Sequence, residues 1–387
     1  VNILPQNHTF VKEGKIMELQ KARKITFIGG GSAYIPLIIE RLIESDALSE
    51  LRELVFISPT EYKKSSVAAF CRALCEKRGL SPKITLADTA DERLKNSDLV
   101  FAIYRAGGLQ ARHTDETIGN DLRVLGQESQ GFGGFASAMR NIAVLRQIAP
   151  VIREHCPNAL FVNITNPSGI MTRAAHELGL KQAVGICDVP YAMRTKIAAY
   201  HRLDADKLRL DYIGLNHLGW IIDSGFAPTS NLLCAIRQRN IPDILPDAAF
   251  LQELGAAGAI PSSYLYYYYC TDEIIAYLLN QSKSRAQRVM EDNANLYRNY
   301  AECNVNALAD FFGKERGAYL LGATVAEYIA GDNRESVICK ANGTLLPFLP
   351  PEAVIETNMK TTPELPGHIR DLISTVARYE ELAVQAG

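Results

Sequence analysis

The sequence predicts an α/β protein, a doubly wound parallel sheet with a second, α+β domain packed intimately against it. Three observations carry this. A β-branched run, Lys24-Ile25-Thr26-Phe27-Ile28, passes through Gly29-Gly30-Gly31-Ser32 into Ile35–Ile43, where apolar residues recur at helical spacing. Further short apolar runs alternate with helical stretches through the first half of the chain, the signature of strands joined by crossover helices. The length, 387 residues with 47% apolar and 22% charged, suits two domains of ordinary globular composition.

The first strand, glycine turn and helix follow the order of a Rossmann-type dinucleotide site. There, glycines let the backbone approach a pyrophosphate at the positive end of a helix. Gly29, Gly30, Gly31 and Ser32 are the cofactor-binding candidates, although a glycine turn alone also fits a bare structural turn. The second strand, Glu53–Ile57, ends at Ser58, where such units usually place an acid for the adenine ribose. With no carboxylate to repel a ribose phosphate, and with Lys63 and Lys64 nearby to attract one, the choice between NAD and NADP stays open. Ile84–Leu86 and Leu99–Ile103 continue the alternation.

Polar residues then gather at strand ends, where open α/β sheets bind ligands. After Ile103 come Arg105 and Arg112, the pair Asp115-Glu116, and Gly126 to Gly134 with Glu128 inside it. Asp115 and Glu116 fit a solvated loop as well as a site, whereas Arg112 and Glu128 flank glycines in a loop longer than packing requires. Leu160–Thr165 carries Asn163 and runs into Asn166-Pro167, an amide at a strand end. Val184–Pro190 presents Cys187 beside Asp188, and Ile213–Trp220 presents Asn216-His217 before the only tryptophan. Each of Cys187 and His217 taken singly is more often inert core, yet at the ends of successive strands they can converge on one divalent ion. Tyr264 precedes the run Tyr266–Tyr269, which reads as core or subunit interface, and Ser284-Arg285-Ala286 follows.

Composition narrows the partners. Lys and Arg number 41 against 43 Asp and Glu, a net charge of −2, which supplies no field for a nucleic-acid backbone. No run is apolar enough to span a membrane, and the first residues lack a secretion signal. The eight cysteines, Cys71, Cys75, Cys156, Cys187, Cys234, Cys270, Cys303 and Cys339, have no paired spacing and read as reduced thiols in a cytoplasmic protein. The reading divides the chain into an N-terminal extension at 1–23, a dinucleotide-binding domain at 24–190 and a catalytic domain at 191–387. Within the extension, residues 1–16 lie upstream of Met17.

Taken together, Gly29 to Ser32, Arg105 to Gly108 with Arg112 and Asp115-Glu116, Gly126-Gln127-Glu128, Asn163 to Pro167, Gly185 to Pro190, Gly214 to Trp220, Pro261 to Tyr267 and Ser284-Arg285-Ala286 occur in one order. That order resembles family 4 of the glycoside hydrolases, and it spans the chain from about residue 24 to the end. The resemblance implies a glycosidase working by redox elimination with NAD and a divalent, manganese-like metal, an exception to the usual two-carboxylate scheme. NAD takes a hydride from C3 of the sugar, a base removes the C2 proton, the aglycone leaves from C1, water adds and the hydride returns.

By position, Cys187 and His217 resemble the metal ligands, Tyr264 the base at C2, and Asp188 the acid of members that cleave α-linked 6-phosphoglucosides. Asn163 belongs with the cofactor site, and Arg112, Glu128, Asn166 and Arg285 resemble sugar-binding residues. Asparagine tends to replace Asp188 in β-specific relatives. The implied substrate is an α-glucoside with an anionic C6 group, with 6-sulfonate as an alternative to 6-phosphate. The implied assembly is a homo-dimer or homo-tetramer. The rival readings are a simple NAD(P)-dependent hydroxy-acid or sugar dehydrogenase and a non-catalytic sugar or dinucleotide sensor.

Overall fold

The computed structural model describes residues 22–205, 208–223, 259–303, 305, 317–330 and 336–387. Of the expected N-terminal extension, only Ala22 and Arg23 fall within them, and Cys234 lies outside.

The first half alternates as the sequence predicts. Its elements are β1 (Lys24–Ile28), α1 (Ile35–Glu44), β2 (Glu53–Ile57), α2 (Glu61–Lys77), β3 (Lys83–Ala87), β4 (Leu99–Ala102), α3 (Gly108–Asp121), α4 (Gly131–His155), β5 (Leu160–Asn163), α5 (Ser168–Glu177), β6 (Ala183–Gly185) and α6 (Val189–His201). The six strands are parallel in the order 3-2-1-4-5-6. Central strands such as β4 and β5 are buried along their whole length, which is why they read as continuous apolar runs. Phe27, Phe56 and Phe101 stack across β2, β1 and β4 on one face, with ring centroids 5.6 and 5.0 Å apart. The order reverses between β1 and β4, opening the crevice at their carboxyl ends.

The second half adds β7 (Asp211–Leu215), β8 (Leu218–Asp223), β9 (Ile260–Pro261), α7 (Tyr266–Tyr269), α8 (Thr271–Leu279), α9 (Arg285–Ala301), α10 (Gly317–Ile329), β10 (Ile338–Ala341), β11 (Val354–Thr357) and α11 (Gly367–Ala386). Its strands extend the same sheet to eleven, in the order β3-β2-β1-β4-β5-β6-β10-β11-β7-β8-β9. The sequence reading took β6 and β7 as successive strands; in the sheet β10 and β11 lie between them. Gly185, Cys339, Glu356 and Gly214 form one register row across this junction. A Cβ at Gly185 would stand 2.2 Å from Thr172 Oγ1 and 2.8 Å from the Cys339 Cβ, so only glycine lets α5 and β10 close on β6.

Helices of the second half also brace the first. Tyr297 and Tyr300 of α9 donate their hydroxyls to the carbonyls of Gly31 and Ala33, at 2.6 and 2.7 Å, fixing the glycine turn. Arg173 of α5 pairs with Glu177 and with Glu381 of α11. Among the described residues, no helix is long and apolar enough to cross a membrane.

Candidate active site

The glycine turn follows β1 tightly. The amides of Gly29 and Gly30 both donate to Ile57 O, at 2.9 and 2.8 Å. Gly29 has φ +94°, and a Cβ there would stand 2.4 Å from Ile103 O. Ser32 sits in the turn, its amide donating to Gly29 O at 2.9 Å and its hydroxyl accepting from the Tyr34 amide at 3.3 Å. Ser58 lies at the carboxyl end of β2 and accepts from the Thr60 amide at 3.3 Å. Lys64, offered by the sequence as an attractor for a ribose phosphate, is instead buried and held by Glu61 at 3.0 Å and Asp88 at 2.5 Å.

Helix α3 and the segments either side of it build an alternating ion network, so Arg112, expected in a long loop, stands on a helix with Asp115 and Glu116. Arg112 lies between Glu116 and Glu128, 2.6 Å from each, and Glu128 also pairs with Arg105. Although burial alone would raise it, the two guanidiniums draw the Glu128 carboxyl down to about 2. Glu116 reaches on to accept the Ala286 amide at 3.0 Å, and Asp115 pairs with Arg140. The acidic pair is therefore buried scaffolding rather than a solvated loop. Arg285 begins α9 beside a capping box in which Ser284 accepts from the Gln287 amide, and His113 of α3 bonds Ser284 at 3.0 Å.

Asn163 is buried and bonds within its own turn, donating to Thr165 O at 3.0 Å and accepting from the Thr165 amide at 3.2 Å. These bonds shape the turn that carries Asn166. The Asn166 carbonyl accepts from Asn141 at 2.9 Å, while its side-chain amide has no hydrogen-bond partner among the described residues.

The two expected metal ligands meet. Cys187 follows β6, His217 occupies the tight β7–β8 turn with φ +64°, and Sγ lies 3.2 Å from Nε2. Tyr264, in a single 3-10 turn after β9, stacks its ring on the imidazole at 4.0 Å and 16°. Asp188 is the N-cap of α6 and accepts from the Cys187 thiol at 3.8 Å. Burial lowers the His217 imidazole to about 4, keeping it neutral, and pushes the Cys187 thiol and the Tyr264 phenol well above their ordinary values. Burial likewise raises Asp188, which favours the protonated acid.

Two supporting sets lay beyond the sequence reading. Ser129 Oγ is 2.7 Å from His217 Nδ1 and gives its proton to Gln127 Oε1 at 2.9 Å. Because Gln127 Oε1 also accepts the Ser129 and Gln130 amides, the proton on Nδ1 must point to Ser129, leaving the Nε2 lone pair facing Cys187. Asn216, next to His217, donates to Glu356 Oε1 at 3.0 Å across the β11 row. Ser129 lies inside the glycine segment that the sequence marks, but nothing in the sequence links it to a histidine 88 positions away.

Fold and site together define an α/β protein with a glycine-turn crevice opening onto a thiol–imidazole–phenol cluster. The chain matches the model of the family 4 glycosyl hydrolases over residues 24–203 and that of their C-terminal domain over residues 212–387. It belongs to that family and is a glycosidase. It is 31% identical over 396 residues to a probable 6-phospho-beta-glucosidase of Bacillus subtilis (strain 168), covering 95% of this chain and 89% of the relative. A 6-phospho-alpha-glucosidase of Leptotrichia buccalis is 27% identical over 307 residues, 74% of this chain and 69% of the relative. The 6-phospho-beta glucosidase from Thermotoga maritima, solved with manganese, NAD+ and glucose-6-phosphate, superposes with a TM-score of 0.82 at 25% identity, covering 94% of this chain and 89% of that one.

Proposed function

We propose that the chain hydrolyses an α-linked 6-phosphoglucoside, using NAD and a divalent, manganese-like ion. The observation that carries this is the cluster itself: Cys187 Sγ 3.2 Å from His217 Nε2, with Tyr264 stacked on the imidazole and Asp188 adjoining. The donors fit one ion. A thiol and an imidazole nitrogen 3.2 Å apart would hold one divalent ion between them. The glycine turn leads from β1 into the N-terminus of α1, the place where a dinucleotide's pyrophosphate sits in such units.

When bound, NAD supplies reversible hydride removal from the sugar, and the ion supplies the positive charge that lets a neighbouring phenol ionise. Tyr264 removes the C2 proton. Burial otherwise keeps that phenol neutral. Asp188, whose carboxyl burial raises above its ordinary value, gives its proton to the departing glycosidic oxygen. Arg112, Glu128, Asn166 and Arg285 hold the sugar, with Arg112 kept in place by two carboxylates.

The phosphate is supported by the relatives of both anomeric classes, and the α-linkage by Asp188. A β-linked substrate is the second reading, favoured by the Bacillus subtilis relative that matches 95% of this chain. The test is turnover of α- and β-linked aryl 6-phosphoglucosides with NAD, manganese and a thiol reductant, run in deuterated water. Cleavage of the α-anomer with deuterium entering C2 is expected. Preferential β-cleavage would transfer the assignment to the second reading, and no cleavage of either anomer would overturn the substrate class.

A further inference from the structure

We propose that the adenosine end of the dinucleotide crevice accepts a 2′-phosphate, so that the chain takes NADP as well as NAD. The inference rests on the glycine turn being a dinucleotide site, as read above. In such units an acid at the end of β2 binds the ribose hydroxyls, and its charge excludes a phosphate there. Here that position is Ser58. Its Oγ accepts from the Thr60 amide, leaving the hydroxyl proton for a phosphate oxygen.

Three further features meet at the same point. A Cβ built on Gly31 would stand 3.3 Å from Ser58 Oγ and 2.9 Å from the Lys63 Cβ, so the serine, the lysine stem and the glycine turn share one corner. The Lys63 ammonium lies 5.4 Å from the ring centroid of Tyr297, whose hydroxyl is tied to Gly31 O, which keeps the charge at the turn. Lys63 has no carboxylate partner among the described residues. Glu61, two residues before it, and Asp88 are both bound to Lys64 instead. The corner also adjoins the N-terminus of the 17-residue helix α2, whose N-cap Thr60 makes no side-chain cap, so the dipole end faces the same space.

The test is binding of NAD and of NADP to the purified, reduced chain, measured by calorimetry or nucleotide fluorescence without substrate. NADP is expected to bind within about tenfold of NAD. Ser58→Asp should weaken NADP by roughly a hundredfold through like-charge repulsion while retaining NAD, which also reports an intact fold. Lys63→Ala should weaken NADP more than NAD. NADP binding more than roughly a hundredfold below NAD in the unaltered chain would overturn the proposal. Equal losses of both nucleotides in Lys63→Ala would also overturn it, assigning that lysine to the pyrophosphate. Failure of both dinucleotides to bind would instead remove the dinucleotide reading itself.

Discussion

A histidine offers one nitrogen to a metal most effectively when the other is committed, and at His217 the commitment is made by Ser129 Oγ at 2.7 Å. Loss of such a partner typically weakens metal binding about 10–100-fold. Ser129→Ala should therefore lower manganese affinity by that factor, read from the free-ion signal in an electron paramagnetic resonance titration. Ser129→Thr should restore it, and an unchanged titration in the alanine variant would show that the imidazole holds its orientation without the hydroxyl. The contrast between Ser129 and its neighbours shows what a sequence displays at this scale. Cys187 and His217 could be marked as a pair because each stands at a strand end, whereas the roles given to them and to Tyr264 came from the order of the motifs along the chain. Ser129 and Gln127 could not be so marked, because a hydroxyl and an amide acquire a role only through a contact between positions far apart in the chain. The position of Asn163 at a strand end was also visible, but its bonds to Thr165, which depend on the local turn, were not.

Elements were legible in proportion to their length and regularity. The crossover helices of the first half carry a helical period and its strands read as the apolar runs between them, whereas β9 is two residues long and β10 and β11 each carry a charged residue. Yet β11 carries a buried carboxylate into the sheet. Burial pushes Glu356 up to about 7 from an ordinary 4.5, against the lowering effect of Asn216 and Tyr212. The folded chain thus holds a proton that the unfolded chain has already released above its own lower value. This contribution is complete below about 4.5, declines as the pH rises toward 7 and is then constant. Between pH 5 and 8 the unaltered chain should lose on the order of 3 kcal/mol more stability than Glu356→Gln, measured by urea unfolding. Parallel pH profiles for the two proteins would contradict the origin assigned here.

At the scale of the molecule, length and composition pointed to two packed domains, and the two family models divide at 203 and 212. Hydrogen bonding does not divide there. One sheet runs from β3 to β9, and α9, α10 and α11 all pack back onto the first half. A sheet whose two parts share strands and cores should lose both together. Calorimetry on the reduced chain should give a single endotherm with matching calorimetric and van't Hoff enthalpies; two separated transitions would show that the halves are energetically independent. The continuity escaped the sequence because the joining row is assembled from Gly185, Gly214, Cys339 and Glu356, drawn from distant parts of the chain.

That seam also bears on ancestry. Cys187 belongs to the half that holds the glycine turn, and His217 to the hairpin of the other half. A recombination event between the two would pass on a nucleotide fold without its imidazole, or an imidazole without its thiol. Dinucleotide folds are commonly portable, combined with many different partners, but this one, once separated, would keep the thiol of the Cys187–His217 pair and lose its imidazole. Its descendants can diversify by changing loops such as the one bearing Asp188, while the two halves must be inherited as a unit.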